Sequence, residues 1–150
     1  MRNYTTRSEE QTFELAIELA KCLKSGDVLA LYGDLGSGKT VFARGVAAGL
    51  GITDEVTSPT FALVHEYHSG GKSLYHFDMY RVSGYESLCS TGFFDYMDMQ
   101  GILLVEWSEN ISGYLPENAI KITIQRIGDD VRQIEIENLS LESCQDGGEN

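Results

Sequence analysis

The sequence predicts an α/β fold: a central, mainly parallel sheet flanked by helices, with antiparallel strands at the edge. Three observations carry this. Residues 28–32 and 102–105 are unbroken apolar runs, as strands covered on both faces require. A helical period follows the first run, through Val41, Phe42, Val46 and Leu50. Ile120, Ile122 and Ile124 alternate with polar residues, as do Ile134 and Ile136, which marks strands with one wet face.

The elements follow in order. Ser8-Glu9-Glu10-Gln11 has the form of a capping box, and Phe13, Ala16, Ile17, Ala20 and Leu23 follow at helical spacing, with Gly26 placed to end that helix. The strand at 28–32 runs into a glycine-rich turn and a helix stopped at Gly51. Pro59, within Val56-Thr57-Ser58-Pro59-Thr60, opposes helix and favours extended chain. Residues 61–67 read as a strand, 68–72 as a turn, 74–78 as a second strand and 85–91 as a short helix. Gly101 precedes the buried run that ends in Glu106 and Trp107. Gly128-Asp129-Asp130 separates the alternating isoleucines and makes them an antiparallel hairpin. No repeat or linker divides the chain, so residues 1–137 are expected to form one domain and 138–150 a frayed polar tail.

Composition excludes several classes. A chain of 150 residues suits a single core, and 42% hydrophobic content argues against general disorder. With 11 Lys+Arg against 23 Asp+Glu, the formal charge of −12 disfavours gripping nucleic acid through a broad basic face. The charge is uneven: residues 1–75 carry 7 basic and 9 acidic groups (−2), and 76–150 carry 4 and 14 (−10). An anionic ligand should therefore meet the first half. No apolar run approaches the roughly 18 residues that span a bilayer, and the polar segment 1–7 lacks a signal peptide's apolar stretch. Cys22, Cys89 and Cys144 are widely spaced, which argues against a disulfide scaffold or zinc site and for three thiols in a cytoplasmic protein.

The motif that carries chemistry is Gly33-Asp34-Leu35-Gly36-Ser37-Gly38-Lys39-Thr40, which matches the Walker A pattern G-x-x-x-x-G-K-[ST]. At this composition it arises by chance in about 0.8% of such chains. Its position after a buried strand and before an amphipathic helix makes the fold a P-loop nucleotide-binding fold. Glycines let successive N–H groups converge on phosphate oxygens, and the helix start adds its dipole. The phosphate-binding set is thus Leu35, Gly36, Ser37, Gly38, Lys39 and Thr40. Lys39 neutralises phosphate charge, and Thr40 offers a hydroxyl to Mg²⁺.

Hydrolysis needs more than a cradle. Asp78 and Glu106 end two of the expected strands, where ligands of open parallel sheets lie. They are the candidate metal-side and catalytic acids beside Lys39. The base is poorly specified, but no Asn-Lys-x-Asp guanine reader is present, which weakens a GTPase reading. His65, His68 and His76 are scattered and read as surface or structural groups. Trp107 adjoins Glu106 and shapes either a pocket or the core.

Four segments occur in one family's order: residues 33–40, Thr57-Ser58-Pro59-Thr60-Phe61-Ala62-Leu63-Val64, His76-Phe77-Asp78-Met79-Tyr80-Arg81 and Leu104-Val105-Glu106-Trp107. The chain closely resembles the TsaE (YjeE) family of bacterial tRNA threonylcarbamoyladenosine biosynthesis ATPases, over roughly residues 8–137. The resemblance implies a Mg²⁺-dependent ATPase that supports threonylcarbamoyl transfer to adenosine 37 of tRNAs reading ANN codons. It implies a TsaB–TsaD partner complex, through which alone the chain meets tRNA. It assigns Thr40 and Glu106 to the metal, makes the segment around Thr60 a γ-phosphate-sensitive switch, and brings Ser8 and Asp130 near the adenine. Ser37 stands where the family commonly has Ala, and residues 85–92 depart from its usual Pro-Glu-Glu helix start. Two other classes fit the cradle: a small-molecule phosphotransferase, which the few arginines beyond residue 50 disfavour, and a nucleotide-sensing module with incidental hydrolysis.

Overall fold

A computed structural model describes residues 2–34, 36–53 and 64–139. Within them the strands are β1 (Arg2–Thr6), β2 (Val28–Tyr32), β3 (Val64–Ser69), β4 (Lys72–Asp78), β5 (Ile102–Glu106), β6 (Ile120–Arg126) and β7 (Arg132–Glu137). The helices are α1 (Glu9–Ala20), α2 (Lys39–Gly49), α3 (Tyr85–Ser90) and α4 (Phe93–Met97), and a 3-10 segment covers Ser108–Tyr114. The strands form one sheet in the order β1-β7-β6-β2-β5-β4-β3. The middle four, β6, β2, β5 and β4, are parallel; β7 and β1 extend one side and β3 the other, all antiparallel. The α/β sheet expected from sequence is therefore present, with antiparallel strands on both edges.

The apolar runs explain the layering. Successive residues of β2 and β5 point to opposite faces, and each face carries its own core. Leu29, Leu31, Ile102 and Leu104 join α1, α2 and the isoleucines of β6 and β7 on one side. Val28, Leu103, Val105 and Phe77 join Leu88, Phe93 and Ile111 on the other. Both faces of the middle strands are thus covered, which is why their residues are apolar without alternation.

On the first face α1 and α2 pack closely because small residues meet. A Cβ added at Gly45 would lie 2.5 Å from the Ala16 Cβ and 2.6 Å from the Phe13 carbonyl oxygen. Gly45→Ala gains about 1 kcal/mol of helix propensity, but it forces backbone apart. We expect a net loss of about 1–3 kcal/mol in urea denaturation; unchanged stability would mean the helices separate freely.

The structure corrects several expectations. The buried stripe of α1 is Thr12, Ala16, Leu19 and Ala20, and the helix ends at Ala20, well before Gly26. Gly26 instead leads into β2, with its N–H donating to the Gly101 carbonyl at 2.8 Å. The β3–β4 hairpin closes on Gly70 and Gly71 alone, both at positive φ as a two-residue primed turn requires. β1 was not expected: its residues are polar, and its hydrogen bonds to β7 give no periodic signal. Five-residue α4 is too short to show a helical period. Cys89 is a free, exposed thiol. Leu35, the segment 54–63 with Pro59 and Thr60, and residues 140–150 with Cys144 lie outside the described residues. Among those described, no helix is long and apolar enough to cross a membrane.

Candidate active site

The turn after β2 is built by steric necessity. A Cβ at Gly33 would lie 2.5 Å from the Ile124 carbonyl oxygen and 2.7 Å from Ser37 Oγ, so only glycine fits between the turn and β6. Gly38 holds φ 107°, in the left-handed region, and starts α2 with no side chain capping it. The first N–H groups of α2 therefore keep no side-chain acceptor, the arrangement that receives anions at helix starts. The side chain of Lys39, the first residue of α2, is 7% exposed. Its ammonium makes no hydrogen bond among the described residues and lies 4.5 Å from the centroid of the Trp107 ring. A buried cation held only by an aromatic face is an incomplete site, because desolvation of the ammonium is left largely uncompensated.

The acids come from neighbouring strands. Asp78 ends β4 and Glu106 ends β5, and the two are direct partners in the parallel register. Asp78 Oδ1 accepts the Tyr80 N–H at 2.9 Å, which turns the chain away from the sheet. Glu106 is 6% exposed, and its Oε2 lies 2.6 Å from Nε2 of the fully buried His76. Trp107 follows at φ 59°, a left-handed conformation uncommon outside glycine, and stacks on Tyr80 at 4.8 Å between centroids. That turn swings the indole out of the strand and over Lys39. Asn110 from the 3-10 segment donates to the Met79 and Tyr80 carbonyls at 2.8 and 3.1 Å, which braces the end of β4.

These groups line one cavity of about 400 Å³, with Gly36, Gly38, Lys39, Thr40, Asp78, Glu106, Trp107, Ser8 and Asp130 on its wall. It lies beyond the carboxyl ends of β2, β4 and β5, where an open parallel sheet receives ligands. Ser8 contributes from the start of α1, where its Oγ accepts the Gln11 N–H at 3.1 Å; Gln11 reaches back to the Arg7 N–H at 2.7 Å, a near relative of the capping box. Asp130 contributes from the β6–β7 turn. Ser37, by contrast, is buried with its Oγ making no hydrogen bond among the described residues, and it is not part of this cavity's wall.

Five wall residues, Glu9, Thr12, Val41, Asp129 and Arg132, were not singled out for the site from sequence. Thr12 shares a 2.6 Å hydrogen bond with Thr6 beneath the start of α1. Asp129 neighbours Asp130. Arg132, the first residue of β7, links the two halves of the site. Its Nε donates to the Ser37 carbonyl at 2.8 Å and its Nη2 to Gly36 at 3.3 Å, while Nη1 reaches the carbonyls of Gly128, Asp129 and Val131. One guanidinium thus fixes the loop's carbonyls outward and ties the hairpin to it. A lysine cannot reproduce this fork. Arg132→Lys should weaken nucleotide binding about tenfold, the value of roughly one charged hydrogen bond. Quenching of Trp107, the chain's single tryptophan, reads this out, and equal affinity would deny the strut a role.

The residues fit a magnesium nucleotide. Among the described residues no group of three His, Cys, Asp or Glu side chains could hold a metal alone. A hydroxyl and one or two carboxylates beside an anion cradle suit Mg²⁺, which takes its remaining ligands from phosphates and water.

A doubly covered parallel sheet with a Gly-Lys-Thr cradle at the end of β2 defines a P-loop protein. Comparison with known proteins narrows this. Residues 6–134 match the family model described as threonylcarbamoyl adenosine biosynthesis protein TsaE. The chain is 45% identical over 131 residues to the tRNA threonylcarbamoyladenosine biosynthesis protein TsaE of Bacillus subtilis, covering 87% of this chain and 82% of that one. It is 47% identical over 106 residues to the Haemophilus influenzae protein of the same name, covering 71% and 66%. The crystal structure of Bacillus subtilis YdiB superposes with a TM-score of 0.80 at 38% identity, covering 99% of this chain and 94% of that one. The chain belongs to the TsaE family, whose place is in tRNA threonylcarbamoyladenosine biosynthesis.

Proposed function

We propose that this chain is a Mg²⁺-dependent ATPase of the cytoplasm that supports threonylcarbamoyl transfer to adenosine 37 of tRNAs reading ANN codons, together with a TsaB–TsaD type partner complex. The observation that carries the reading is the buried ammonium of Lys39, which makes no hydrogen bond among the described residues and faces the same cavity as Asp78 and Glu106. A polyphosphate is the anion that completes this site. The N–H groups of residues 36–40 and the Lys39 ammonium hold its oxygens, with Leu35 part of the same loop by its place in the motif. Thr40 and Glu106 would hold Mg²⁺, which neutralises charge on the β- and γ-phosphates when bound. Lys39 stabilises charge developing on the transferred phosphoryl group, and the carboxylates of Asp78 and Glu106 orient the metal side and the attacking water. Ser8 and Asp130 wall the cavity on the side expected for the base.

The partner dependence follows from charge. A chain at −12 is poorly suited to hold tRNA directly. The acids of its second half outside the site suit a basic protein surface instead, with salt-sensitive association. The test is phosphate release from Mg·ATP with and without the partner complex. Release that rises when the partners are added supports the reading; no release in either case rejects it.

A further inference from the structure

We propose that His76 is a positioning residue for Glu106, a role that rests on the ATPase reading above. His76 lies on β4 opposite Leu104 of β5, and Asp78 lies opposite Glu106. In a parallel pair these four residues share a face, so His76 sits one pleat below the two strand-end acids and on their side of the sheet. It is fully buried. Its Nε2 meets Glu106 Oε2 at 2.6 Å, a diagonal contact across the two strands. The other ring nitrogen, Nδ1, is buried and makes no hydrogen bond among the described residues. The bond to Glu106 is therefore the polar contact that orients the ring, and the packed ring in turn fixes the carboxylate.

This matters because a glutamate side chain is flexible. A carboxylate at a strand end can occupy several rotamers, and ordering it costs side-chain entropy. A hydrogen bond from an immobile imidazole sets that order in advance, and it also satisfies a carboxylate oxygen that is nearly buried. Glu106 then meets the bound nucleotide in one orientation. A reacting group displaced by about 1 Å loses on the order of 10²-fold in rate. His76 touches neither phosphate nor water in this scheme; it acts through Glu106.

The experiment compares His76→Leu with His76→Gln, alone and combined with Glu106→Ala, in ATP hydrolysis with the partner complex present. His76→Leu should lower kcat about 10–100-fold with KM for ATP within about 3-fold. His76→Gln, whose amide can donate to the same oxygen, should recover most of the loss. In the Glu106→Ala background His76→Leu should have no further effect, the signature of residues acting through one another. Independently of turnover, ¹⁵N spectra of the nucleotide-free chain should show the His76 proton on Nε2, with a resonance that moves strongly in Glu106→Ala. The proposal is overturned if His76→Leu leaves kcat unchanged, if it is equally harmful without Glu106, or if folded His76→Gln is no better than His76→Leu. Wild-type chain that releases no phosphate removes the ATPase reading and this proposal together; wild-type activity with an inert His76→Leu removes only the proposal.

Discussion

Lys39→Met is expected to weaken nucleotide binding and turnover severely while leaving the fold at least as stable as the wild type. The side chain is 7% exposed, and its ammonium has no hydrogen-bond partner among the described residues. Burying an unsatisfied polar group costs about 1–3 kcal/mol, and more when it is charged. The Trp107 face at 4.5 Å returns about 0.5–2 kcal/mol of that. Methionine keeps most of the volume and the contact with the indole while removing the charge. Stability in urea should therefore stay constant or rise by about 1–2 kcal/mol, the difference between these contributions. Function moves the other way. Loss of a preorganised cation at the phosphates should lower turnover about 10²–10³-fold, and ATP should perturb Trp107 fluorescence far more weakly. A variant that is less stable yet binds ATP as the wild type does would show that Lys39 serves the fold and not the ligand.

The second large effect is at Glu106. Glu106→Gln should lower ATP turnover about 10²–10⁴-fold, the usual contribution of a positioned acid or base, with ATP affinity within about 3-fold of wild type. The amide keeps the shape of the carboxylate and can still meet His76, so the fold is retained. Glu106→Ala differs in one respect. It leaves Nε2 of a fully buried histidine without its 2.6 Å partner, which should cost a further 1–3 kcal/mol of stability, roughly. Comparing the two variants by turnover and by urea denaturation separates the chemical role of the residue from its structural one. If Glu106→Gln hydrolyses ATP at the wild-type rate, Glu106 has no part in the chemistry.

How much of this was legible in the sequence depends on the range of the forces involved. β2, the cradle and α2 were legible because they are contiguous: an apolar run, glycines required by close approach, and a helical period lie within 24 residues, 28–51. β6 and β7 announced themselves by alternation, since one face is wet. Asp78 and Glu106 were legible as strand ends, and their pairing in register follows from β4 and β5 being neighbours. What was not legible is what the tertiary fold creates. The Arg132 fork reaches loop carbonyls 95 and 96 residues away in sequence. The His76 contact to Glu106 needs two strands from separate parts of the chain, so His76 looked like any scattered histidine. β1 hid because its residues are polar and its partner, β7, is distant in sequence. The end of α1 was misplaced because Gly26 was taken for a helix stop when it serves the entry to β2.

Whether hydrolysis itself drives the tRNA modification is tested most directly by counting threonylcarbamoylated tRNAs per complex. Wild-type chain and Glu106→Gln would each be supplied with the partner complex, threonylcarbamoyl donor, ATP and excess tRNA. Wild-type chain should support many rounds, and Glu106→Gln, which binds ATP without turning it over, at most about one round per complex. Repeated rounds with Glu106→Gln at the wild-type rate would contradict an ATPase role and leave a nucleotide-sensing module in its place.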